Sequence, residues 1–289
     1  CSSLTTIICT GTNAPTLGGS VFDEALQAIL VPKDATGYTG GNWPEDKIFP
    51  IGDEWGQIEN SRLYWSFDED TKTLTIFGTG EMPDFSSSRA QPWEEYQRSI
   101  NTVVVGKGVT SIGKEAFSDC ALANLTLPES VTKIGECAFR NCIELGAVDI
   151  PAGVTSIGEG AFSSSTLFRI TFPANSQLET IGDSAFERCT SLVSITIPAG
   201  VTSIGEYAFS GCTDLSTVTF ADESQLTTIG RKAFWSCENL TSITIPASVT
   251  AIGEEAFVGC ANLQTVTCKP MTAPTLGTNP EVFDGCNAL

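Results

Sequence analysis

The 289-residue sequence predicts a solenoid, mostly β with short helical or 3-10 turns, wound as a right-handed superhelical stack and preceded by a β-hairpin cap. Two observations carry this. A motif is written twice in succession. Val201-Thr202-Ser203-Ile204-Gly205 leads through Ala208-Phe209 and Cys212 to Leu215, Val218 and Phe220. Leu226-Thr227-Thr228-Ile229-Gly230 leads through Ala233-Phe234 and Cys237 to Leu240, Ile243, Ile245 and Pro246. The Ala-Phe pair then recurs with Phe at 117, 139, 162, 186, 209, 234 and 257, at spacings of 22, 23, 24, 23, 25 and 23. Such a period makes each unit depend on its neighbours rather than on one central core.

Residues 1–50 have the character of an end module of an upstream repeat array followed by a linker. Cys1 to Cys9 aligns with Cys260 to Cys268, Ala14 to Gly18 repeats Ala273 to Gly277, and Phe22 matches Phe283. The order of these matches is that of a segment cut from a longer protein with its phase shifted. Two similar end caps on a complete chain would give the same pattern. Residues 32 to 60, rich in Gly, Pro, Asp and Trp, have the composition of a loop. Residues 51–100 form the expected N-terminal cap. Leu63, Trp65 and Phe67 alternate, Asp68 to Thr71 turns, and Leu74 and Ile76 alternate again, which is a hairpin pattern. The acidic turn lacks the spaced ligands of a calcium loop. Pro92 to Tyr96 predicts one short helical turn.

Residues 101–289 are the array, about seven repeats and the start of an end module. Ile243 and Ile245 point inward from a strand while Ser242 and Thr244 point out. Proline at 128, 151, 173, 198, 246 and 270 ends the pairing. Glycine at 113, 135, 158, 182, 205, 230 and 253 is expected to make a tight corner. The acidic residue after it (Glu136, Glu159, Asp183, Glu206, Glu254) stands where a carboxylate meets free backbone N–H groups, and Lys114 and Arg231 interrupt the column. Phenylalanine is the core plug.

Cys120, Cys142, Cys189, Cys212, Cys237, Cys260 and Cys286 each lie three residues after a Phe, with Ser165 as the gap. A column locked to the repeat predicts buried free thiols, with Cys137 as the exposed one. No C-x-x-C pair supports zinc, no histidine is present, and no cofactor is implied. The net charge of −19 disfavours nucleic acid, and no apolar run is long enough to span a bilayer.

The repeat over Val109 to Pro270, with Leu74 to Met82 and Pro92-Trp93 ahead of it, resembles the BspA-like class of bacterial leucine-rich repeats. It departs from the better known leucine-rich pattern. The usual asparagine slot holds Ser130, Gly153, Gly200 and Ser248, so no asparagine ladder is expected. The resemblance implies a leucine-rich repeat solenoid in a bacterial surface-displayed or secreted protein that adheres to host extracellular matrix or a cell-surface protein. It implies no enzyme. Candidate contacts are the outward strand residues where the monotony breaks, Asp149, Phe168, Arg169 and Thr171, and the rows of Thr196, Thr219 and Thr244. A stalk that spaces other domains, or carbohydrate or ice binding by the threonine rows, are the alternatives.

Overall fold

The computed structural model describes residues 6–9, 13–17, 22, 26, 28–38, 43–44, 47–270, 272–277 and 281–286. Each coil contributes two strands and one turn-rich side. The inward-outward alternation of the I-x-I segment builds the first column of parallel strands, in which Ser194–Ile197, Thr217–Phe220, Ser242–Ile245 and Thr265–Cys268 form one sheet. Ile195, Val218 and Ile243 are buried there, while Thr196, Thr219 and Thr244 are exposed. The T-x-I-G segment builds a second column, a nine-stranded sheet from Gly80–Glu81 to Thr275–Leu276.

The third side carries the phenylalanines. Phe117, Phe139, Phe162, Phe186, Phe209, Phe234 and Phe257 line up along one axis. From Phe117 to Phe283 neighbouring rings stack 5.2–5.5 Å apart, within 16° of parallel. Each of these turns divides its backbone donors between two coils. The N–H groups of Ala116 and Cys120 bond within their own turn, to the carbonyls of Gly113 and Phe117. Those of Glu115, Phe117 and Asp119 reach the carbonyls of Glu136, Ala138 and Arg140 in the next coil at 2.9, 2.8 and 2.8 Å.

The repeating glycine works differently from the expected corner. A Cβ on Gly205 would lie 2.5 Å from the Asp183 nitrogen, and one on Gly253 2.4 Å from the Arg231 nitrogen. Glycine is there because the coils touch backbone to backbone. The left-handed residue stands two positions on, at Glu115 (φ 58°), Cys137 (φ 52°), Tyr207 (φ 55°) and Lys232 (φ 53°). The acidic column also divides. Asp183 accepts the Glu206 N–H of the next coil at 2.8 Å, a bond between coils rather than the expected cap on its own turn. Glu136 instead pairs with Lys114 at 2.5 Å, and Glu254 faces Arg231 at 3.9 Å. In place of an asparagine ladder there is a threonine one. The hydroxyls of Thr132, Thr155, Thr227, Thr250 and Thr275 each donate to a carbonyl of the preceding coil at 3.0–3.2 Å.

The segment ahead of the first coil mimics a coil with side chains. Trp93 stacks on Phe117 at 5.6 Å and donates its indole N–H to the Ala116 carbonyl at 3.1 Å. Gln97 donates to the Ser118 carbonyl at 2.7 Å, and Gln91 to that of Glu115. The Ala116 and Ser118 carbonyls, whose counterparts Ala138 and Arg140 accept backbone N–H groups from another coil, are thus satisfied here by side chains. Glu94–Tyr96 is the expected helical turn, of 3-10 type. The hairpin is Leu63–Asp68 and Thr73–Gly78, and its second strand pairs in parallel with Thr102–Val105. Two strands, Ile48–Ile51 and Glu54–Gln57, stand where composition indicated a loop; each joins a neighbour, Ala28–Pro32 and Leu63–Asp68 respectively. Much of the terminal matches, including Cys1, lies outside the described residues.

Truncating a ring of the stack removes contacts on both sides of it. Phe186→Ala is expected to cost about 3–5 kcal/mol. Hydrogen exchange should show faster opening in the coils holding Phe162 and Phe209, and unchanged protection in the coil of Phe257.

Candidate ligand-binding face

The first strand column is not continuous. Ala147–Asp149 and Arg169–Thr171 pair only with each other, as a two-stranded island between the sheet ending at Asn124–Thr126 and the sheet beginning at Ser194–Ile197. Asp149, Arg169 and Thr171 are brought together on this island. The Arg169 guanidinium reaches Asp149 at 3.0 Å and the Thr171 hydroxyl at 2.7 Å, and all three side chains are solvent-exposed. An exposed pair of this kind contributes at most about 1 kcal/mol. It orders the charges, and it leaves no uncompensated charge to attract a ligand by itself.

Phe168 stands at the entrance to the island and is 56% exposed. Its ring lies on Gly146 of the preceding coil, where a Cβ would meet it at 2.6 Å. A glycine there leaves the space the ring occupies. In the next coil the equivalent position is Val193, 50% exposed. Ile143, 59% exposed, accepts at its carbonyl the hydroxyl of Thr166, two residues before Phe168. Ile143 and Val193 were not among the residues singled out from sequence. The signal was present in the repeat, since the other coils hold Ser216, Thr241 and Gln264 in the Val193 slot. Thr196, Thr219 and Thr244 lie apart from this patch, on the following four-stranded sheet. There Thr196 is in register with Thr219, and Thr244 with Thr267.

Two further clusters went unseen in the sequence because they join distant segments. The Lys33 ammonium lies 3.2, 3.6 and 3.0 Å from carboxylate oxygens of Asp53, Asp68 and Asp70, so the acidic hairpin turn is neutralised by a lysine. Hydrogen bonding to Asp70 holds the Lys33 pKa above its ordinary value. The Thr71 N–H draws that of Asp68 down. On the phenylalanine side, Arg231 and Lys232 lie over the Tyr207 ring at 5.6 Å, and Lys232 lies 6.0 Å from Trp235.

The cysteine column has no reactive character. Its thiols donate to the carbonyl of the phenylalanine one coil earlier, Cys142 to Phe117 at 3.2 Å, Cys212 to Phe186 at 3.1 Å and Cys237 to Phe209 at 3.2 Å. Ser165 fills its gap with the same bond, donating to the Phe139 carbonyl at 2.8 Å. Burial pushes the Cys189 and Cys260 thiols up to about 12, and Cys142, Cys212 and Cys237 well above their ordinary value. Cys137 is half-buried, not the exposed thiol, because it sits beneath Gly160; among the described residues the exposed cysteine is Cys268. Among the described residues no group of His, Cys, Asp or Glu could hold a metal, and no helix is long and apolar enough to cross a membrane.

The sequence profile described as "BspA type Leucine rich repeat region" matches residues 95–192 and 179–289, in six copies. The chain belongs to the BspA-type leucine-rich repeat family. The chain is also similar to solved leucine-rich repeat proteins from bacteria. A leucine-rich repeat protein from Eubacterium ventriosum is 25% identical over 82% of this chain and 77% of its own, with a TM-score of 0.45. A leucine rich cell surface protein from Faecalibacterium prausnitzii is 23% identical over 80% and 92%, TM-score 0.39. The T. pallidum leucine rich repeat protein is 22% identical over 81% and 91%, TM-score 0.38. No functionally curated protein matches.

If the cysteine column is a donor ladder, Ser165→Cys should be nearly neutral. Ser165→Ala should cost about 1–3 kcal/mol in a urea melt, since it leaves the Cys142 N–H without its side-chain acceptor and removes the hydroxyl from the Phe139 carbonyl. The raised thiol pKa values also set an alkaline limit. Above pH ~8.5 the unfolded thiols ionise while the folded ones stay protonated up to about 12. Stability should therefore be full below that pH and fall by about 1.4 kcal/mol per pH unit per thiol above it. Urea melts between neutral pH and pH ~11 that show no decline would remove this account.

Proposed function

We propose that this chain is a non-enzymatic protein-binding module of a bacterial surface or secreted protein, acting outside the cell on a host extracellular matrix or cell-surface protein. The supporting observation is the exposed apolar set Ile143, Phe168 and Val193 beside the isolated strand pair, where the repeat otherwise presents small or polar groups. Exposed aromatic residues with an arginine beside them are the usual anchors of a protein interface. Phe168 is the anchor, and the Asp149–Arg169–Thr171 cluster is the polar rim on one side of it. In this reading residues 51–100 cap the array and residues 1–50 close a preceding module. A second reading, glycan binding, rests on the grid of outward hydroxyls at Ser194, Thr196, Thr217, Thr219, Ser242, Thr244, Thr265 and Thr267.

Surface plasmon resonance against extracellular-matrix proteins should show saturable binding that Phe168→Ala with Arg169→Ala weakens at least about tenfold, or ~1.4 kcal/mol. Thermal stability should change little, because both side chains are exposed. Undiminished binding by the double variant sinks the placement. A glycan-array signal lost on Thr219→Ala but not on Phe168→Ala moves the site to the threonine grid.

A further inference from the structure

We propose that a cleft beside the second strand column, where that column begins, binds a neutral oligosaccharide. The cleft is two basins of about 520 and 500 Å³ that share Asn60, Pro83 and Asp84. Cavities of about 300–1,000 Å³ hold small ligands, so the pair has room for a short chain of sugar rings. One flank is the segment ahead of the first coil, with Glu59, Glu81 and Asp84. The other is the strand column itself, with Ser111, Lys133 and Thr155. The Phe168 patch and the outward threonine grid belong to the other strand column, so this site is independent of both.

The repeat departs from its pattern at this cleft in a way the fold does not require. One slot of the column reads Glu81, Ser111, Lys133, Ser156, Thr180 and Ser203, each in register with the next. Hydroxyl residues fill it from Ser156 to Thr228, so strand pairing needs no charge there. The two charged residues are exposed and stand two strands apart, with Ser111 between them. At about 4.8 Å per strand their backbones lie about 9.6 Å apart. Among the described residues neither side chain has an ion-pair partner. One pyranose ring bridges such a gap with a hydrogen bond at each end. The pairing also slips between Gly80 and Glu81, and a bulge of this kind re-aims the side chain beside it.

The lining accepts more hydrogen bonds than it donates. The Thr132 and Thr155 hydroxyls give their protons to the Thr110 and Thr132 carbonyls at 3.1 and 3.2 Å, which leaves their lone pairs for a ligand. Asp84 accepts the Lys114 N–H at 2.7 Å through one oxygen, and its other oxygen has no partner among the described residues. Glu59 and Glu81 add exposed carboxylates. Such a surface suits a ligand rich in O–H groups. Three carboxylates against one ammonium repel sulfated, sialylated and uronate glycans. Lys133 on the facing flank repels a run of cationic side chains. A neutral saccharide satisfies both conditions. Pro83, half-buried and common to the two basins, offers its apolar ring to the C–H face of a sugar.

The test is isothermal titration of the chain with short neutral oligomers of glucose, mannose and N-acetylglucosamine, and with heparin fragments and oligolysine as charged probes. At least one neutral oligomer should bind and saturate, and heparin should not. Glu81→Gln and Lys133→Met should each weaken that binding at least about tenfold, the loss of one charged hydrogen bond. Melting temperatures should stay unchanged, because both side chains are exposed. Phe168→Ala with Arg169→Ala should leave saccharide binding intact, whatever it does to binding of matrix proteins. No neutral oligomer bound at millimolar concentration overturns the inference, whether or not oligolysine binds. So does undiminished binding by the Glu81 and Lys133 variants, or a loss on Thr219→Ala in their place.

Discussion

A single coil of this protein cannot complete itself. Its phenylalanine has two faces and no partner within the coil, and its turn points three N–H groups at carbonyls that belong to the next coil. Stacking adds about 0.5–1.5 kcal/mol per ring pair beyond buried area, and each hydrogen bond about 1 kcal/mol net. Neither is available to an isolated unit of 22–25 residues, whose ordering entropy alone is far larger. The coil-to-coil contact is thus the source of the fold, and stability accumulates along the axis as a chain of nearest-neighbour terms.

That constraint explains where the repeat is free to vary. The isoleucine of the second strand and the phenylalanine stay five residues apart, at 134 and 139, 181 and 186, 204 and 209, or 252 and 257. Between them lie the glycine that touches the previous coil and the left-handed residue that turns the chain. Length changes fall elsewhere. Phe172 to Leu178 and Phe220 to Leu226 are longer corners, where Pro151 to Val154 and Pro198 to Val201 are short. Corners on this side make fewer cross-coil bonds than the phenylalanine turn does, so an added residue is accommodated there. At the first coil the same constraint demands substitutes, which explains why a tryptophan and two glutamines converge on the carbonyls of Glu115, Ala116 and Ser118.

The periodic part of this design was legible in the sequence. A period near 23 names the solenoid, alternation orients Ile243 and Thr244, and the Ala-Phe pair locates the stack. What was not legible is what the period cannot encode. The glycine looked like a corner because glycine usually supplies one, but packing distance decides here, and Tyr207 and Lys232 take the left-handed conformation instead. Cysteine looked like a small hydrophobe; the Ser165 gap was the clue that the column also donates hydrogen bonds. Lys33 with Asp53, Asp68 and Asp70 is a contact between segments of no common pattern, and no spacing could have announced it.

The repeat also constrains where a partner would dock. A perfect repeat offers an identical surface at every coil, so a ligand fitted to one coil would fit its neighbours equally well and gain no unique position. Specificity therefore has to come from departures. The departures at Gly146, Phe168 and Val193 occur in successive coils and at one slot, so stacking turns three separate substitutions into one patch. The strand pairing also fails on both sides of the Ala147–Asp149 and Arg169–Thr171 pair, which separates the Asp149–Arg169–Thr171 cluster from the uniform threonine sheet. An exposed ion pair is weak enough to rearrange on contact, and a phenylalanine already resting on a glycine loses little freedom when a partner covers it. Apolar area, low ordering cost and a unique position coincide at this one place on the outward face.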